Sequence, residues 1–241
     1  DLVSLSERQL LPIRSRFGML FQGAALFDSL TVAENIAFAL RDIKANGQSV
    51  SERVSEVLEL VELPGIENKH PAELSGGMQK RVGLARAIVH RPEIILYDEP
   101  TTGLDPMSSD VIDQLMMRVN ERLNATTIVV THDSYEAFYL GSKCGVILND
   151  QLKQYDDPYN VYHFPNSVEV VNFLNRGILI PAKVTGENSL ENEDLGTIKG
   201  NFIKHYPKGS DVKLLLQPED LEHDDKSNLK LEVVDRKFRG T

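Results

Sequence analysis

Short apolar runs alternate along the first 150 residues with longer stretches in which apolar residues recur every three or four positions. "RFGMLFQ" (16–22) predicts a short buried strand ending at Gln22. In "SLTVAENIAFAL" (29–40), Thr31 and Glu34 have capping-box spacing, and Val32, Ile36 and either Ala39 or Leu40 share a helical face. "VSERVSEVLELV" (50–61) repeats the pattern through Val54, Val57, Leu58 and Val61, and Leu63-Pro64-Gly65 stops it. A third helix is expected from Ser75 to about His90, broken by Arg91-Pro92. The strand "IILY" follows, then a helix with Asp105 as N-cap and Pro106 at its first position. Val111, Ile112, Leu115, Met116, Val119 and Leu123 form its apolar stripe. "TTIVVTHD" (126–133) is β-branched and nearly all apolar, as a strand covered on both faces should be. Strand, helix and strand in this order predict an α/β fold with a parallel sheet and right-handed crossovers.

The texture changes around 165–177. "GILIPAKVTG", "LGTIKGNFI", "DVKLLLQP" and "NLKLEVVDRKF" are short strand candidates separated by turn residues. The expected division is a first domain over 1–165, with a helical part at about 28–90, a linker at 166–177, and a small, barrel-like all-β domain over 178–241.

Composition narrows the function. Of the 241 residues 41% are hydrophobic and 26% charged, as in an ordinary globular protein, and no apolar run approaches the roughly 20 residues of a bilayer span. The net charge of −10 argues against nucleic acid as a partner and against adhesion to an anionic membrane. A single cysteine, Cys144, excludes an internal disulfide framework and is expected to be a buried small hydrophobe.

In an open parallel sheet, ligands bind beyond the carboxyl ends of the strands. Three predicted strands end in polar residues: Gln22 after "GMLF", Asp98 and Glu99 after "IILY", His132 after "IVVT". Taken singly, the Gln is an ordinary turn residue and the His an ordinary solvated one. Together they set an amide, two carboxylates and an imidazole along one edge, a set that suits a Mg²⁺–phosphate group. Asp98 could hold Mg²⁺ through its water shell. Glu99 could orient and deprotonate an attacking water, and His132 could contact the terminal phosphate. A cation nearby also relieves the repulsion between the adjacent acids. In "LSGGMQKR" (74–81), Ser75 is a good N-cap, while Gly76 and Gly77 each sacrifice about 1 kcal/mol of helix propensity. They leave bare N–H groups at the positive end of a helix, unless a tight packing neighbour demands them.

"LSGGMQ", "IILYDEP", "TTGLD" and "TIVVTHD", in this order and spacing, resemble the nucleotide-binding subunit of ATP-binding cassette (ABC) transporters from about Phe17 to Asp133. The resemblance implies a P-loop-NTPase-type sheet with a helical subdomain, ATP and Mg²⁺ as cofactors, and ATP hydrolysis. It implies a Q-loop role for Gln22, sensing Mg²⁺ through water and the transmembrane partner, a Walker B role for Asp98, catalytic roles for Glu99 and the switch residue His132, and a D-loop role for Asp105. Ser75, Gly76, Gly77 and Gln79 resemble the signature that closes over ATP held by a second subunit. No GxxxxGK[ST] loop is present, nor any Gly-Lys pair, so the chain is expected to be a fragment cut before its phosphate loop and inactive by itself.

Beyond Tyr155 the sequence is similar to importers of ferric iron or polyamines with a TOBE-type (OB-like) domain, while "MLFQGAALFDSLTVAENIAFAL" resembles phospholipid-trafficking ATPases. The resemblance implies transmembrane permease subunits, a second nucleotide-binding subunit, a periplasmic substrate-binding protein, and a place on the cytoplasmic face of the inner membrane. Three rivals remain: a lipid-trafficking ATPase, a silent subunit completing a partner's site, and a non-transport ATPase of the same family. Against the last, no coiled coil separates Gln22 from Ser75.

Overall fold

The structure is a computed structural model that describes residues 3–41, 49–175, 177–200, 202 and 206–220. The chain folds as two units, Asp1–Cys144 with Asp156–Pro158, and Gly145–Tyr155 with Tyr159–Thr241.

In the first unit a short helix, α1 (Glu7–Arg14), leads into β1 (Phe17–Leu20). Helices α2 (Val32–Ala37), α3 (Val50–Leu60) and α4 (Gly76–Ile88) follow, then β2 (Ile94–Asp98), α5 (Pro106–Leu123), β3 (Thr126–Val130) and α6 (Ser134–Leu140). The helix starts obey the side-chain chemistry read from the sequence. Thr31 Oγ1 accepts from the Glu34 amide at 3.3 Å, and Glu34 accepts in return from the Thr31 amide at 2.8 Å. Asp105 caps α5 by accepting from the Ser108 amide at 3.0 Å, and Asn124 ends that helix at φ 49°, a left-handed terminus.

The three strands are parallel in the order β1-β2-β3. Leu20 pairs with Tyr97, and Tyr97 with Val129, so all three carboxyl ends reach one edge. Val32, Ile36, Leu58, Leu84, Ile95 and Leu115 are fully buried in one core shared by the sheet and its helices. β1 lies so near α4 that a Cβ on Gly18 would collide with the carbonyl oxygen of Ala87 and sit 3.0 Å from Pro92 Cγ.

Two strands differ from expectation. β3, expected to be covered on both faces, exposes Ile128 (53%) and Val130 (59%), because no helix among the described residues packs on that side. β1 buries Gly18 and Leu20 but leaves Met19 part-open, alternating rather than buried throughout.

Next along the chain, β4 (Cys144–Leu148) and β5 (Gln151–Asp156) form a two-stranded sheet. Asn149 and Asp150 join them at φ 50° and 58°, both left-handed, as a primed hairpin turn requires. Cys144 is buried as expected, its thiol donating to the Ala137 carbonyl at 3.3 Å. Helix α7 (Pro158–His163) precedes α8 (Val168–Leu174), which is capped by Ser167 and occupies the stretch expected to be a linker.

The second unit holds β6 (Ile178–Gly186), β7 (Ser189–Asn192), β8 (Gly196–Lys199) and β9 (Asp211–Leu216), antiparallel in the order β8-β7-β6-β9. Ala182, Val184 and Leu190 form its core with Phe202, Val212 and Leu214 packed against them. The described residues make an open sheet; the strand candidate "NLKLEVVDRKF" lies outside them.

Candidate functional site

Four of the predicted residues, Gln22, Asp98, Glu99 and His132, lie along the carboxyl edge of the parallel sheet, while Ser75, Gly76, Gly77, Gln79 and Asp105 stand at the starts of α4 and α5. Asp98 is the last residue of β2, and Glu99 follows it directly. Gln22 stands exposed two positions beyond the end of β1, and His132 two beyond the end of β3. The turn after Gln22 is anchored from α4: Arg86 donates to the carbonyls of Ala24 at 2.6 Å and Ala25 at 2.7 Å. Both alanines are left-handed, at φ 59° and 47°.

Glu99 occupies the most constrained position. Its φ is 47°, a left-handed conformation that costs a residue with a Cβ roughly 1–2 kcal/mol. Its amide donates to the Val130 carbonyl at 2.8 Å, tying it to the adjacent strand. Its carboxylate Oε2 accepts from Thr102 Oγ1 at 2.7 Å and lies 2.5 Å from His132 Nδ1. A carboxylate only accepts, so Nδ1 carries the proton, and His132, with a 74% exposed side chain, keeps its other nitrogen outward. Partial desolvation pushes the Glu99 carboxyl up, but the hydrogen bonds from Thr102 and His132 outweigh it, and the net position is below the ordinary value. Glu99 is therefore ionised at neutral pH, its carboxylate held between Thr102 and His132 at the sheet edge.

The glycine-rich start of α4 is capped as expected, Ser75 Oγ accepting from the Met78 amide at 3.3 Å. Packing does not demand the glycines. A Cβ on Gly76 would meet Leu104 Cδ2 at 3.7 Å, and one on Gly77 would meet Ser108 Cβ at 4.0 Å, both ordinary contacts. Gln79 turns inward and donates to the Pro71 carbonyl at 3.0 Å, so it braces the loop before the helix and does not face a ligand beyond Ser75. Asp105 is committed to Ser108, whose amide and hydroxyl it accepts, and those bonds hold its carboxyl below the ordinary range.

Behind the edge lies a cleft of about 590 Å³ lined by Thr101, Thr102, Asp113, His132, Glu136 and Tyr139 among others. Asp113 on α5 and Glu136 on α6 are both more than nine-tenths buried. Desolvation first, then the Glu136 charge and a hydrogen bond with Glu136, push the Asp113 carboxyl up to about 7. The folded chain thus holds a proton that the unfolded chain, at 3.8, has already lost. Stability is full below that unfolded value and declines as pH rises toward about 7. In urea titrations of the chain, the unfolding free energy should fall between pH 5 and 8 by about 2 kcal/mol, after discounting the full shift for the cleft's access to solvent. Asp113→Asn should flatten that decline and be the more stable protein at pH 8. An unchanged slope in the variant would assign the pH dependence elsewhere.

Sequence reasoning missed four residues here. Thr101 and Thr102 stand in the quoted "TTGLD" run, but hydroxyls next to an acid carry no spacing signal. Lys80 donates to the Glu99 carbonyl at 3.1 Å; the signal available was a lysine on the core face of α4, one turn before Leu84. Glu136, accepting from Thr101 Oγ1 at 2.8 Å, has no local cue.

Residues 2–102 match the family described as ABC transporter. The methionine import ATP-binding protein MetN 2 of Listeria innocua is 37% identical over 206 residues, 86% of this chain and 57% of that protein. The glucose import ATP-binding protein GlcV of Saccharolobus solfataricus is 34% identical over 223 residues, 92% of this chain and 61% of that protein. The chain thus spans less than two thirds of the length of these curated relatives. Among solved structures, the dimeric post-hydrolysis state of the ATP-binding cassette MJ0796 bound to ADP and Pi aligns with TM-score 0.56 and 32% identity. It covers 64% of this chain and 68% of that one.

Proposed function

The chain belongs to the ABC transporter ATP-binding family, and from that premise we propose that it forms part of an ATP-hydrolysing subunit that powers import of a small solute. One observation carries the chemistry: Glu99 is fixed at a strand end with its ionised carboxylate held by Thr102 and His132. In this arrangement Glu99 accepts the proton of a water that attacks the terminal phosphate, contributing roughly 10²–10⁴ in rate. His132 shares the Glu99 carboxylate and presents its second nitrogen toward the phosphate side. The bare amides of Gly76 and Gly77 at the positive end of α4 suit phosphate held by a second copy.

A bound Mg²⁺ would neutralise charge developing on the phosphate oxygens. The donors fit that ion: Asp98 offers a hard carboxylate and Gln22 an amide oxygen, leaving positions for water and phosphate. Among the described residues no group of three His, Cys, Asp or Glu side chains could enclose a metal alone, and in this reading phosphate and water would complete the ion's shell. The 241 residues contain no GxxxxGK[ST] run, the loop that would cradle the phosphates in this reading.

The relatives described as methionine and glucose import proteins favour a small polar cargo. Ferric iron as that cargo rests on the sequence beyond Tyr155 alone. Permease subunits, a second ATP-binding subunit and a substrate-binding protein are the partners such a role requires. No helix among the described residues is long and apolar enough to cross a membrane, so attachment would run through the permease. The test is phosphate release by the full-length protein with and without a chelator, beside calorimetry of the 241-residue chain. Chelation should abolish release, and the chain alone should show no ATP complex tighter than about 1 mM. Chelator-resistant turnover, or a tight complex with the chain alone, would overturn the assignment.

A further inference from the structure

The loop Glu99–Thr102 is gripped from two sides by residues outside it. Lys80 reaches it from the middle of α4, although its side chain stands in the apolar row continued by Leu84 and Ile88 and it is only 5% exposed. Burying an ammonium there is costly unless it is paired. Desolvation lowers its basicity, and the carboxylates of Glu136, Glu99 and Asp98 oppose that, so the acids at the sheet edge hold the ammonium in place. Its one described hydrogen bond goes to the backbone carbonyl of Glu99, the residue in the left-handed conformation. On the other side, Thr101 Oγ1 donates to the buried Glu136.

We propose that Lys80 is a positioning residue for Glu99: by donating to its carbonyl, the ammonium fixes the backbone turn that aims the carboxylate at the reacting water. This rests on the reading of Glu99 as the general base. A left-handed Glu relaxes readily to an ordinary conformation unless its surroundings over-determine it, and relaxation would swing the carboxylate away from Thr102 and His132. A misplacement of about 1 Å can cost as much as 10² in rate. Because Lys80 sits on the same helix that begins at Ser75, a shift of α4 along its axis would reach the base through this one bond. The helix start thereby acts on its own chain's catalytic turn as well as on a partner's nucleotide.

The experiment is steady-state hydrolysis by the full-length protein carrying Lys80→Met, Lys80→Arg, Glu99→Gln, or Lys80→Met with Glu99→Gln, each checked by thermal melting. Lys80→Met should lower kcat about tenfold or more with KM for MgATP unchanged within about twofold, and Lys80→Arg should restore most of it. The double variant should be no slower than Glu99→Gln alone, since a lysine acting through Glu99 has nothing left to position. Should the methionine variant not fold, Lys80→Gln, shorter and uncharged, takes its place in the same cycle. Unchanged kcat without Lys80, or losses that multiply in the double variant, would overturn the proposal. Full turnover in Glu99→Gln would instead remove the base, a failure visible separately from that of Lys80.

Discussion

Glu99→Gln in the full-length protein should drop turnover by about 10² or more while ATP affinity stays within a few-fold of the parent. Glutamine keeps the length and shape of the side chain, and its carbonyl oxygen still accepts from Thr102, so the turn at φ 47° has no reason to move. What disappears is the ability to take a proton. An amide is not protonated near neutral pH, whereas the hydrogen bonds from Thr102 and His132 keep the Glu99 carboxyl ionised there. The loss therefore falls on the chemical step and not on binding, the pattern of an interaction made only in the transition state. Single-turnover phosphate release and nucleotide titration separate the two. Retained turnover would remove Glu99 from its role and leave the acid pair without a catalytic purpose.

The largest expected change in stability comes from a single methyl group. Gly18→Ala should destabilise the chain by about 3 kcal/mol or more, because the new Cβ meets a backbone carbonyl, that of Ala87, with Pro92 closing the other side. Neither obstacle is the free end of a flexible side chain, so relief requires prising β1 from α4. That displacement would travel to Leu20, Leu84 and Ile88 in the core. Gly23→Ala is the control: nothing lies within 4 Å of its Cβ position, and its effect should be within about 0.5 kcal/mol. Denaturant titration of the chain reads both. Equal stabilities for the two variants would mean that β1 and α4 are not held at the observed distance.

The cassette-like half was legible because its signals are local. A Thr or Ser with Glu three positions on starts α2 and α3, and an Asp-Pro pair starts α5; each cap uses neighbours in sequence. The edge of the sheet was legible for the same reason, since strand ends can be read from where apolar runs stop. Side chains that reach across elements were not. Lys80 and Glu99 lie 19 positions apart, and Thr101 and Glu136 lie 35 apart. No period connects them, and only the fold brings them together. β5 escaped because "QLKQYD" is a two-faced, mostly open strand with little apolar signal, even though the Asn-Asp turn before it is a hairpin cue. α8 escaped because seven residues with a Ser cap look like any loop of mixed polarity.

β3 has practical weight for anyone handling this chain. Its outer row is greasy, with Ile128 and Val130 open to water, and among the described residues no strand pairs with its free side. Such ribbons stack on their own kind. The isolated polypeptide should therefore self-associate as its concentration rises, with this edge as the contact.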